Sequence, residues 1–100
     1  MNGHRPRAAR MQIYAAEGTT DRDRVFIVRC VGGIVRVGRT FVPARSDATL
    51  PADLRVTLTG IERYRRSVGS VDPPHTARVT LTGPSADALV RGSVIVEASD

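Results

Sequence analysis

The sequence predicts an all-β domain, a small antiparallel barrel or sandwich. Three observations carry that expectation. The clearest apolar segments alternate in and out with the period of a strand, and no stretch shows convincing helical spacing. Glycine, proline and polar clusters break the chain about every 8–12 residues, the rhythm of an all-β fold. The composition is 41% hydrophobic but only 4% aromatic, so the core must be filled by Val, Leu and Ile. One hundred residues make one domain, with material for one thin core.

Taken in order, Met1–Arg10 is basic and lacks hydrophobic periodicity, so it reads as a disordered tail, and residues 11–100 read as a single β domain. Met11–Ala16 is the first expected strand, and Gly18–Arg24 is a polar turn cluster. Val25–Val31 is a β-branched run followed by Gly32-Gly33, a hairpin signal. Ile34–Val42 continues as strand with an interruption at Gly38, and Pro43–Ala52 is a loop. The hexapeptide RVTLTG then occurs twice, at Arg55–Gly60 and at Arg78–Gly83. In both copies Val and Leu (Val56 and Leu58, Val79 and Leu81) share one face, while Arg and Thr share the other. Between the copies, Pro73-Pro74 marks a turn. Ser85–Leu89 reads as one helical turn capped by Ser85, Gly92 breaks the chain, and Ser93–Ala98 supplies the last strand. The total is about six strands.

Chemistry is sparse. There is no phosphate-cradling Gly-rich loop ending in Lys-Ser/Thr, no HExxH, no CxxC and no GxSxG. His4 lies in the tail, and His75 lies in the Pro-Pro turn near Asp72, Ser67 and Ser70, where a triad would lack rigid support. Carboxylates are scattered singly, and the one cysteine, Cys30, sits in an apolar run where a buried, inert thiol is expected. The expectation is therefore no enzyme, no metal and no cofactor. No apolar run approaches the ~20 residues that span a bilayer, so no membrane partner is expected and a cytoplasmic protein is the plain reading.

The net charge of +5 favours an acidic partner such as nucleic acid. All fifteen basic residues are arginine, which together with the Ala and Val content suggests codon bias more than phosphate chemistry. One cluster stands out: Glu62-Arg63-Tyr64-Arg65-Arg66 packs three arginines and an aromatic directly after an expected strand. Strand alternation places Arg63 and Arg65 on one face, with Tyr64 and Arg66 on the other. Arginines supply phosphate contacts, and a tyrosine offers a stacking platform for a base. The plainer alternative is a solvated rim.

These residues carry a resemblance. VTLTGIERYRR at 56–66 and ARVTLTGPSADALVRGSVIVE at 77–97 resemble the β-barrel second domain of elongation factor Tu and its translational GTPase relatives. The shared order is Thr59-Gly60-Ile61-Glu62, then Tyr64-Arg65-Arg66, a strand ending at Gly83, the acidic turn Ala86-Asp87-Ala88-Leu89, and Arg91-Gly92. GIVRVGR at 33–39 is similar to the family's Gly-x-Val-x-Val-Gly-Asp strand, with Arg39 in place of the acid. The resemblance implies a closed six-stranded antiparallel β-barrel. In elongation factor Tu this domain holds the aminoacylated end of transfer RNA against the GTPase domain. The family's adenine-contacting glutamate falls at Glu62, and its acceptor-end arginines fall at Arg65 and Arg91. Pro74-His75-Thr76 loses the family's asparagine, and Arg78 replaces the glycine that makes room for the aminoacyl group, so aminoacyl-tRNA delivery is not expected of these hundred residues alone. The expected function is a non-catalytic, stand-alone translation-factor-like barrel that binds RNA, a tRNA or rRNA end, through Glu62, Arg63, Tyr64, Arg65, Arg66 and Arg91. The competing readings are a protein-interaction module that docks on a GTPase or another partner, and a diverged barrel that has lost its ligand. The sequence leaves the oligomeric state open.

Overall fold

A computed structural model describes residues 8–19 and 23–98. Among the described residues, nine strands and a one-turn 3-10 helix follow one another: β1 (Arg10–Thr19), β2 (Asp23–Gly32), β3 (Val35–Arg36), β4 (Thr40–Pro43), β5 (Val56–Arg63), β6 (Arg66–Val68), β7 (Ser70–Val71), β8 (Thr76–Thr82), the 3-10 turn (Ala86–Ala88) and β9 (Val94–Glu97). Six of these strands close into a ring. The hydrogen-bonded order is β4-β9-β1-β2-β8-β5, and β5 pairs back onto β4 through Thr40↔Thr57 and Phe41↔Val56. The bonds from Leu58 N to the Arg39 carbonyl (2.9 Å) and from Gly38 N to the Leu58 carbonyl (2.8 Å) extend that seam. The closed six-stranded antiparallel barrel that the resemblance implies is the architecture found. β6 folds back on β5 outside the ring, and β3 pairs with β7 as a separate two-stranded ribbon.

The two RVTLTG copies explain part of this closure. They lie side by side in β5 and β8, with Leu58 opposite Leu81. Val56, Leu58, Val79 and Leu81 are all sealed from solvent. Each such side chain contributes about 1.5–3 kcal/mol by leaving water. β2 adds Phe26, Val28 and Cys30 to the interior, β1 adds Met11 and Ile13, and Phe41 and Ile95 fill the side between β4 and β9. Burial pushes the Cys30 thiol above its ordinary value, against opposing hydrogen bonds from nearby backbone.

Three local expectations need correction here. Gly32-Gly33 is not a hairpin, because β2 already pairs with β1 on one side and β8 on the other, leaving no edge for a returning strand. Instead Gly33, at φ 61°, turns the chain out of the sheet so that β3 can meet β7. The helical turn near residue 85 forms, but the Ser85 side chain does not cap it; backbone bonds such as Ala88 N to the Ser85 carbonyl (3.0 Å) close it. The first strand begins earlier than Met11, since Arg10 pairs with Val96 and Ala9 is buried, bonded to Glu97 through both backbone and side chain. The expected break at Gly38, by contrast, is present, at φ 95°. The expected tail, as far as Arg7, lies outside the described residues, as does the centre of the turn at 20–22. No helix among the described residues is long and apolar enough to cross a membrane.

Candidate nucleic-acid interface

The cluster at 62–66 is a hairpin tip. Arg63 closing β5 faces Arg66 opening β6, and Tyr64-Arg65 forms the two-residue loop between them. Both loop residues have positive φ, 52° and 63°, which is the geometry of a type I′ turn. The alternation expected through Arg65 is therefore broken: Tyr64 and Arg65 project from the tip, and Arg63 and Arg66 are cross-strand neighbours. Sequence alternation misses this because the tip carries no Asn-Gly or Asp-Gly signature.

A bulge sets up the strand that leads to the tip. Leu58 pairs with Leu81 but Gly60 pairs with Thr80, so Thr59 is an extra residue. That insertion resets the inward-outward pattern, sending Ile61 into the core and Glu62 to the outer surface. There Glu62 accepts a hydrogen bond from Arg78 Nη1 (3.4 Å), and Arg78 Nη2 donates to Glu17 on β1 (2.8 Å). Arg78 thus ties three strands together, and its charge is already matched by two carboxylates.

The tip cations are in a different state. No carboxylate among the described residues pairs with Arg63, Arg65, Arg66 or Arg91. Tyr64 is 87% exposed, and among the described residues only the Arg63 guanidinium lies over its ring, 5.3 Å from the centroid. Arg91 stands apart, in the turn before β9, where Gly92 N bonds the Ile13 carbonyl on β1. Between β5 and β1 lie three interstrand steps, about 14 Å along the sheet. The fold gathers Glu62, Arg63, Tyr64, Arg65 and Arg66, and leaves Arg91 on the far side of β1.

Between those limits runs an open groove of about 550 Å³, a volume ordinary for a ligand site. Tyr14, Ile27 and Arg29 line it from β1 and β2, Arg63 and Tyr64 from the hairpin tip, and residues 74–78 from the turn and start of β8. Arg29 Nε donates to the Pro74 carbonyl (2.9 Å), and its Nη1 donates to the Tyr14 hydroxyl (3.3 Å). His75 Nδ1 lies 3.4 Å from an Asp72 carboxylate oxygen. The sequence alone places His75 in a solvated loop and gives no role to Tyr14, Ile27 or Arg29. A signal for the last two is present all the same: Phe26, Val28 and Cys30 alternate inward, which forces Ile27 and Arg29 outward.

No protein-family model matches this sequence, and no curated protein matches it. Among solved structures, the barrel superposes on translation elongation factor SelB from Methanococcus maripaludis with a TM-score of 0.73, covering 90% of this chain at 19% identity. The fold is a translation-factor barrel. SelB bound to the GTP analogue GppNHp gives the same figures as the apo form, a TM-score of 0.73 at 19% identity. The chain spans about a fifth of SelB's length (19%), so the likeness concerns one barrel within a larger protein. It agrees with the elongation-factor resemblance carried by Thr59–Glu62 and Arg91-Gly92, and at this identity it speaks to fold alone.

Proposed function

We propose that this chain is a non-catalytic, cytosolic, translation-related barrel that binds single-stranded RNA, a tRNA or rRNA end, at the β5–β6 tip and the groove beside it. The observation that carries the reading is the tip itself. A type I′ loop normally holds Asn-Gly or similar, and here two bulky L-residues sit at positive φ, each costing about 1–2 kcal/mol of backbone strain. The strain buries nothing, because Tyr64 is almost wholly exposed. Its effect is presentation: an aromatic face and three arginines without carboxylate partners among the described residues, aimed outward together. That combination suits stacking on a base with phosphate contacts around it.

Filter binding of transfer RNA and of a single-stranded oligonucleotide across a salt series tests the proposal. Binding at low salt that weakens as salt rises, and that Arg65→Ala with Arg66→Ala reduces along with its salt slope, is the expected result. Failure to bind at low salt, or indifference to the double substitution, would sink it.

One observation favours the docking alternative. Val31, Ile34 and Val37 are each about 40% or more exposed around β3, and none of them lines the groove. A GTPase or other protein seated there would make Ile34→Asp abolish that association and leave RNA binding intact.

A further inference from the structure

Resting on the RNA reading above, we infer that Tyr14 is a second stacking platform, so that the groove takes two bases, one on Tyr14 and one on Tyr64, with the linking phosphate against Arg29 and Arg63.

The backbone points Tyr14 there for a reason. In the β1–β2 ladder Ile13 pairs with Val28 and Ala15 pairs with Ile27, so Tyr14 is left without a partner as the extra residue of a bulge. Bulges of this kind re-aim a side chain, and this one turns the tyrosine ring toward the groove instead of into the ladder. Arg29 then fixes the ring. Its Nη1 holds the phenol oxygen, and its Nε is anchored on the Pro74 carbonyl across the groove floor. A tyrosine that is 38% exposed yet pinned at its far end is a preorganised flat surface. Tyr64 is the opposite case, 87% exposed, with the Arg63 guanidinium over its ring and no hydrogen bond to its hydroxyl among the described residues.

The chemistry between the two rings fits a phosphodiester. Of the three arginines lining the groove, Arg78 is neutralised by Glu17 and Glu62. Arg29, on β2, and Arg63, at the end of β5, have no carboxylate partner among the described residues, and both line the groove. Ile27 and Pro74 give the floor an apolar lining. Tyr14 and Tyr64 stand on elements three interstrand steps apart, about 14 Å along the sheet. Stacked rings have centroids about 4.5–7 Å apart, so each tyrosine meets its own base.

The composition supplies a direct test. The chain has two tyrosines and no tryptophan, so tyrosine emission comes from Tyr14 and Tyr64 alone. In the full chain carrying Tyr64→Phe, Tyr14 is the sole reporter; in Tyr14→Phe, Tyr64 is. Titrating each with a short oligoadenylate should quench both reporters with the same midpoint. Tyr14→Ala and Tyr64→Ala should each weaken binding about 10-fold, and together about 100-fold, because the bases are separate. Tyr14→Phe keeps the ring and should bind within about twofold of the parent, which separates stacking from the Arg29 bond. If Tyr14 emission is unchanged while Tyr64 is quenched, the second platform is wrong and the RNA reading survives. A double alanine variant no weaker than either single one would reduce the site to one base and overturn the inference. If no form of the chain binds oligoadenylate, transfer RNA or another single strand at low salt, both readings fall.

Discussion

The two copies of RVTLTG share six residues and hydrogen-bond to each other, yet they are not equivalent parts of the barrel. Their valines and leucines behave identically, all four sealed in the core. Their glycines do not. A methyl group on Gly60 would meet nothing nearer than the Thr80 side chain at 3.7 Å, whereas one on Gly83 would lie 2.6 Å from the Arg55 carbonyl. The first residue of one copy is thus what forbids a side chain on the last residue of the other. The first copy also contains a bulge, at Thr59, against its neighbour, while β8 runs in straight register along β2 from Thr76 to Thr82. The difference teaches that period-two patterning specifies which face a residue takes, and that the neighbouring strand decides what its backbone tolerates.

The largest expected effects test the likeness between the copies. Leu58→Ala and Leu81→Ala should each destabilise by about 2–5 kcal/mol in urea unfolding. Because the two side chains face each other, the double variant should lose less than the sum. Unequal single losses would break the equivalence of the cores. Next comes the contrast between the glycines. Gly83→Ala should cost about 1–3 kcal/mol through the clash with backbone, while Gly60→Ala should stay within about 1 kcal/mol of the parent.

Only the first copy leads into the strained tip. Replacing that tip by Tyr64→Asn with Arg65→Gly should raise stability by about 1–3 kcal/mol, since these residues accept positive φ, and should weaken RNA binding in the same protein. Stability and binding moving in the same direction would mean that the strain serves no purpose in binding. A smaller effect is expected at the head of the second copy. Arg78→Ala breaks two half-exposed ion pairs and should change stability by less than about 1 kcal/mol, an effect that added salt erases. The same change unmasks Glu17 and Glu62 beside the groove, so RNA affinity should fall.

The smallest effect lies outside both copies. The Thr49 hydroxyl, with the Val94 and Thr49 amides, holds the Asp47 carboxyl below the usual carboxylate range. A depressed folded value means this contribution is present above the unfolded carboxylate's pKa, about 4, and is lost as pH falls through that region. Asp47→Asn should flatten the acid limb of the stability curve slightly and leave neutral-pH binding alone.

Much of the barrel is legible in the sequence, because alternation in RVTLTG and in Val25–Val31 reports which side chains are buried. The elongation-factor resemblance carries the closure, which local pattern cannot, since β4 meets β5 through only two register pairs. Gly32-Gly33 misleads because a hairpin signal says nothing of whether the preceding strand has a free edge. Of the site, the 62–66 cluster is visible as composition. Tyr14 is not, because it reaches the groove through a bulge, and Ile27 and Arg29 are legible only as outward-facing, since their place in the groove depends on pairing with a strand some fifty residues distant in sequence, as in Ile27↔Arg78.

Binding in the groove is tested most directly by the amide shifts of the labelled chain during titration with a short single-stranded RNA. Coherent, saturable shifts are expected at residues 14–15, 27–29, 63–66 and 74–78, with β4, β9 and the β3–β7 ribbon silent. Shifts concentrated at residues 31–37 or along β4 and β9, with the Tyr14–Tyr64 groove unmoved, would contradict it.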